Sequence, residues 1–189
     1  MATSKAAQLM STHNPPATDS DNWQHLVFGE LKRAGVEIIA YVPDAAHAVA
    51  IAAANDDPDT TAVSCTTEEE GVAICAGAHL GGKRAALLMQ SSGVGNCINM
   101  LSLIAICRFP LLALVTMRGE WAEFNPWQSP MGQATEGSLK LMGVQCFRAE
   151  QTEDVAAQLG AASDTAFNGD QACALILGQR LIGRKKWLP

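Results

Sequence analysis

Three short stretches carry residue types that could do chemistry. The first is Glu68-Glu69-Glu70, a carboxylate triplet opening a segment, Gly71 to Leu80, in which His79 is the sole polar side chain. The second is Val42-Pro43-Asp44, where a carboxylate follows an apolar run. The third is Gln90-Ser91-Ser92-Gly93-Val94-Gly95-Asn96, whose small residues let a ligand approach the backbone and a helix N-terminus. Carboxyls at such positions can take up and release protons.

Each stretch also has a plainer explanation. Thr67 with Glu70 three residues later fits a capping box, and carboxylates in a first helical turn are favoured by the helix dipole. Asp44 fits a helix N-cap, and residues 90–96 fit a tight strand-to-helix turn. They are not a dinucleotide fingerprint, since Ile98 stands where the third glycine is needed and no acidic residue follows at the required distance; a P-loop pattern is also missing. His47 and His79 are lone histidines on apolar helices and read as satisfied core residues. Capping accounts for Glu70 and leaves Glu69 free to face solvent. Glu68 is followed at one, two and three turns by Val72, Cys75 and His79. The segment is apolar on nearly every side, so spacing alone does not say which carboxylate turns inward. A carboxyl that did so would be placed to hold a proton at neutral pH.

The elements that must position these residues alternate at short intervals. Strand-like runs cover 36–42, 61–65, 84–90, 111–117, 144–147 and 172–177, and helical patterns cover 22–34, 45–54, 69–81, 95–107, 134–142 and 152–166. Near-continuous apolar strands imply a sheet covered on both faces, and the alternation with helices makes it parallel. The expected fold is a three-layer α/β/α domain around a six-stranded, mainly parallel sheet. In such sheets ligands sit beyond the carboxyl ends of the strands. That rule gathers Val42–Asp44, Thr66–Glu68, Gln90–Asn96 and the long loop 118–133 at one edge.

Bulk properties narrow the function classes. A chain of 189 residues, 48% hydrophobic, can bury a substantial single core. We expect a flexible tail over residues 1–20 and one domain over 21–189. A net charge of −6, with Arg184-Lys185-Lys186 as the one basic cluster, argues against nucleic acid or anionic membranes as partners. The six cysteines form no CxxC pair and mostly sit in apolar runs, which reads as buried thiols in a reducing cytoplasm. Residues 85–107 lack charge but contain Gln90, Ser91, Ser92, Asn96 and Asn99, so no membrane span is expected.

The run EEEGVAICAGAHLGGKRAALLMQSSGVGN, followed by FPLLALVTMRGE and SPMG, resembles the pyrimidine-binding domain of thiamine-diphosphate enzymes, in the sulfopyruvate and phosphonopyruvate decarboxylase branch. The resemblance extends over about residues 22–180 and is most specific over 68–100. It implies that Glu68 is the glutamate that hydrogen-bonds the cofactor aminopyrimidine and shares a proton with its ring nitrogen. It implies that Asp44 faces the substrate and moves protons, that Pro43, Gly93 and Asn96 border the cofactor, and that Gln90, Ser91 and Ser92 lie on the substrate side. The implied reaction takes a 2-oxo acid, releases CO2 and yields an aldehyde.

Two departures from the family pattern bear on the substrate. Related sequences read REEEG and QNSG where this chain has Thr67 and Ser91, and losing an arginine and an asparagine weakens the case for a sulfonate or phosphonate tail. Trp121, Phe124 and Trp127 could instead line an apolar pocket, with Arg118 left as an anion partner. The G-D-G motif that would hold magnesium and the diphosphate is missing: Gly169-Asp170 is followed by Gln171. The resemblance therefore implies an alpha subunit whose thiamine diphosphate and Mg²⁺ are completed by a beta subunit, in an α2β2 assembly. A carboligase or carbon–carbon lyase on an apolar or aromatic 2-oxo substrate, and a non-catalytic regulatory domain of the same fold, are the alternatives.

Overall fold

A computed structural model describes residues 22–184. The tail expected over 1–20 lies outside the described residues, as do Lys185 and Lys186 of the basic cluster.

Six strands form one parallel sheet: β1 (Val36–Tyr41), β2 (Thr61–Ser64), β3 (Arg84–Gln90), β4 (Leu111–Thr116), β5 (Gln145–Ala149) and β6 (Ala172–Leu177), in the spatial order β2-β1-β3-β4-β6-β5. Every residue of β4 and β6 is buried, as LLALVT and ACALIL require of central strands, whereas the edge strand β2 is partly exposed.

The pleat divides the core in two. Leu87, Met89, Ala113, Val115, Ala174 and Ile176 face α3 (Glu68–Leu80), α4 (Ser91–Cys97), α5 (Ser102–Cys107) and α6 (Ser129–Leu141). Their alternates Ala86, Leu88, Leu112, Leu114, Cys173 and Leu175 face α1 (Trp23–Arg33), α2 (Ala48–Asp56) and α7 (Thr152–Gly169). A short α8 (Gln179–Ile182) follows β6. The three-layer architecture is the one expected. Among the described residues no helix is long and apolar enough to cross a membrane.

Boundaries differ where tertiary contacts override local pattern. The expected helix 95–107 is two helices, because Ser102 and Leu103 donate to the carbonyls of Asn99 and Met100, three residues back, and the Ser102 hydroxyl caps Asn99 at 2.7 Å. The first of them starts at Ser91, directly off the strand. Helix α6 begins at Ser129 rather than 134, with Pro130 in its first turn, where a missing N–H costs nothing. The long loop shrinks accordingly to 117–125, followed by a single 3₁₀ turn at Pro126–Gln128.

Candidate active site

The chain leaves β1 toward β2 on one side and β3 toward β4 on the other, so a crevice opens between the carboxyl ends of β1 and β3. Asp44 stands at the end of one and Gln90 at the end of the other. Asp44 is in extended backbone and caps the 3₁₀ turn Ala45–His47, its Oδ2 accepting from the Ala46 N–H at 3.1 Å. The same oxygen accepts from the Thr116 hydroxyl at 2.8 Å, and Oδ1 accepts from Gln90 Nε2 at 3.1 Å. Ser92 donates to Gln90 Oε1 at 3.0 Å, which fixes which way the amide faces. Pro43, beside Asp44, is exposed.

His47 lies beneath this cluster, 1% exposed, with Nε2 3.3 Å from the Met89 carbonyl. Burial lowers its pKa below the ordinary histidine value, and the nearby Asp44 charge only partly opposes this. The imidazole is thus a neutral core residue, though not the fully satisfied one expected, since its Nδ1 finds no hydrogen-bond partner among the described residues, and His79, expected to be its like, is exposed.

Glu68 occupies the other side of the rim, as the first residue of α3. Thr67 is its extended N-cap, without a side-chain cap bond; instead Glu70 Oε2 accepts from the Thr66 N–H at 2.6 Å. The capping box expected between Thr67 and Glu70 is therefore half formed and shifted by one residue. Buried positions on α3 are Glu68, Gly71, Val72, Cys75 and Ala78, a single face at helical spacing, and Glu68 begins it with 7% exposure. Asn96 Nδ2 donates to Glu68 Oε2 at 2.8 Å. Gly93 packs so closely that a Cβ there would fall within 3.0 Å of the carboxyl, Oε1 included. Behind the carboxyl, burial and the Glu68 and Glu69 charges push the Cys97 thiol up to about 12, so it remains protonated.

Glu68, Gly93 and Asn96 thus form one group on the α3/α4 side, and Asp44, Gln90 and Ser92 another on the α2 side. The sheet edge lies between them, and a ligand in the crevice would meet a carboxyl from each side.

The remaining expected residues are placed elsewhere. Ser91 is fully buried, and its hydroxyl is spent on Arg118, accepting from the backbone N–H at 3.0 Å and donating to the carbonyl at 3.3 Å. It ties β3 to the exit of β4 rather than facing the crevice. Arg118, 8% exposed, is paired bidentately with Glu123, Nε to Oε2 at 2.6 Å and Nη2 to Oε1 at 2.5 Å. Glu123 also accepts from Gly119 N, Asn125 N and Gln179 Nε2, and the Arg118 hydrogen bonds, helped by the Asn125 and Gly119 N–H groups and the Arg118 charge, hold its carboxyl at about 2. Trp121 sits beyond β6, its backbone N–H donating to Gln179 Oε1 at 2.9 Å and its ring under the Arg180 guanidinium at 5.8 Å.

Phe124 stacks under Arg118 at 5.7 Å, and Trp127 is 73% exposed, so the three aromatics do not converge. The cavity beside Trp121, about 590 Å³, is walled by Glu120, Glu150, Gln151 and Arg180 and is polar rather than apolar. Gln179, Glu123 and Thr116 carry much of this organisation and escape sequence reading: the partners of Gln179 and Thr116 are distant in the chain, and those of Glu123 are gathered by a loop with no regular period.

No family model matches the sequence. Sulfopyruvate decarboxylase subunit alpha of Methanococcus maripaludis is 34% identical over 157 residues, 82% of this chain and 94% of that one. Its namesake in Methanothermobacter thermautotrophicus is 33% identical over 152 residues, 80% of this chain and 92% of that one. A phosphonopyruvate decarboxylase of Streptomyces viridochromogenes shares 34% identity over 122 residues, 64% of this chain but 31% of that protein. In solved structures the fold recurs in a 2-oxoglutarate:ferredoxin oxidoreductase from Magnetococcus marinus, with TM-score 0.68 and 18% identity over 97% of this chain and 38% of that one. Near-complete coverage at a third identity, on a doubly wound sheet with Glu68 buried at its rim, places this chain in the sulfopyruvate decarboxylase alpha-subunit family.

Proposed function

We propose that the chain is the alpha subunit of a thiamine-diphosphate-dependent 2-oxo acid decarboxylase that releases CO2 and an aldehyde, with Mg²⁺ and the diphosphate held by a beta subunit in an α2β2 assembly. The observation that carries the reading is the Glu68 carboxyl, buried at the sheet rim, held by Asn96 and pressed against Gly93. A buried carboxyl packed against a glycine, with one oxygen oriented by an amide, fits the nitrogen-rich face of an aminopyrimidine. The bound cofactor would supply the nucleophile and the electron sink for loss of CO2.

The chain's own part is to hold and move protons. Glu68 presents a carboxyl oxygen to the pyrimidine side, with Asn96 fixing its orientation. Asp44, across the crevice, faces the substrate side and can exchange a proton there. Gln90 Nε2, with a second proton beyond the one given to Asp44, is a neutral donor at the same edge, placed to orient the acid's carboxylate, and the Ser92 hydroxyl holds that amide in place. Arg118 has its charge matched by Glu123, which leaves the substrate's carboxylate to this neutral donor.

The test is reconstitution. The purified chain alone is expected to bind thiamine diphosphate with Mg²⁺ poorly and to show no turnover. Adding a subunit that carries the diphosphate motif should restore both with sulfopyruvate as substrate. Tight magnesium-dependent binding and decarboxylation by the 189-residue chain alone would overturn the split-site reading.

A further inference from the structure

We infer that Thr116 is a positioning residue for the reaction: its hydroxyl sets the orientation of the Asp44 carboxylate. The inference rests on the reading of Asp44 as the proton-moving group.

Thr116 ends β4, a strand otherwise built of Leu, Ala and Val, and it is 1% exposed. Valine has the same shape and strand preference without a hydroxyl that must be satisfied, so a threonine there is useful only if the hydroxyl has a task. The hydroxyl has one proton to donate and two acceptors in reach. Asp44 Oδ2 is at 2.8 Å and the Met89 carbonyl at 3.4 Å, so the carboxylate takes it.

The register explains why this strand end reaches Asp44. Gln90 and Thr116 are paired across β3 and β4, so their side chains leave the same face of the sheet, toward the turn that Asp44 caps. Each then holds a different oxygen, Gln90 donating to Oδ1 and Thr116 to Oδ2. The Ala46 N–H also reaches Oδ2, but it belongs to Asp44's own turn and travels with it. Thr116, like Gln90, therefore refers the carboxylate to the sheet, and it does so through the shorter, β-branched side chain. Without it, Oδ2 loses its tie to β4, and the Gln90 amide, bonded to Oδ1, feels the change.

Two measurements test this. In the reconstituted complex, Thr116→Val is expected to lower kcat roughly 10- to 100-fold, with KM within about threefold, and to displace the acidic limb of the kcat–pH profile. Thr116→Ser should restore both. In the isolated chain, with no cofactor or partner, the Gln90 side-chain amide resonances in a ¹⁵N-edited spectrum should move toward free-amide positions in Thr116→Val and stay in place in Thr116→Ser. Thr116→Ala removes the same hydroxyl and gives the same pair of readouts should Thr116→Val fold poorly. Asp44→Asn separates the two claims. If it leaves kcat intact, the role of Asp44 fails and the inference with it. If it abolishes turnover while Thr116→Val leaves kcat, the pH profile and the Gln90 resonances unchanged, the positioning role alone is overturned.

Discussion

Glu68→Gln keeps the size and the hydrogen-bonding outline of the side chain but removes its capacity to hold and return a proton. Turnover of the reconstituted enzyme should fall by about 10²- to 10⁴-fold while the circular dichroism of the chain is unchanged. Glu69→Gln should cost little. Glu70→Gln should mainly lower stability, by on the order of 1 kcal/mol, through the weakened contact to the Thr66 N–H. Equal kinetic damage from all three would mean the wrong carboxylate has been assigned. Gly93→Ala tests the same site from beneath: its Cβ displaces the Glu68 carboxyl, so the chain should stay folded and lose activity nearly as far as Glu68→Gln does. The inward turn of Glu68 was written in the spacing of Glu68, Gly71, Val72, Cys75 and Ala78. It was hard to read because Ala73, Ile74 and Ala76 make the remaining faces almost as apolar. Family resemblance, rather than periodicity, singled it out. The partner of Ser91 is invisible for a different reason, since where β4 ends relative to β3 brings the Arg118 backbone to its hydroxyl.

At the scale of elements, apolar period identified the strands and most helices, and it failed where two helices share one face. Cys97, Leu101 and Ile104 are all buried at helical spacing although the helix is broken between them, so the pattern cannot show the break. The N-terminus of α6 was missed because its turn is held by backbone packing rather than by a side-chain cap. Gly132 lies against the Arg118 carbonyl, and Gly119, at φ 80°, lies against the Gln128 carbonyl, each leaving no room for a Cβ. Gly119→Ala therefore meets both a left-handed backbone and an immovable neighbour. It should lower stability by at least ~2 kcal/mol, read as a drop in urea midpoint, and loosen the loop that carries Arg118 and Glu123.

For the molecule as a whole, a buried histidine and an ion-paired, half-buried carboxylate shape the acid limb of stability. His47 is neutral in the folded chain and has its pKa lowered by burial, so below about 6.5 the unfolded chain takes up the proton first and stability falls as pH drops. Glu123 acts further down: its folded pKa of about 2 against an ordinary 4.5 gives stability that is present above 4.5 and lost as pH falls toward 2. Melting temperatures recorded from pH 8 to pH 3 should therefore decline in two stages. His47→Gln should flatten the first stage and Glu123→Gln the second, the latter while lowering the whole curve by about 3–5 kcal/mol for the stranded Arg118. The order of the strands has a further consequence for synthesis on the ribosome. Strand β6 lies between β4 and β5, yet it is made after both. Until residues 172–177 leave the exit tunnel, β4 presents an unpaired apolar edge and β5 with α7 has no sheet to join. The β4 half of the sheet must therefore stay open until β6 emerges to join its two neighbours.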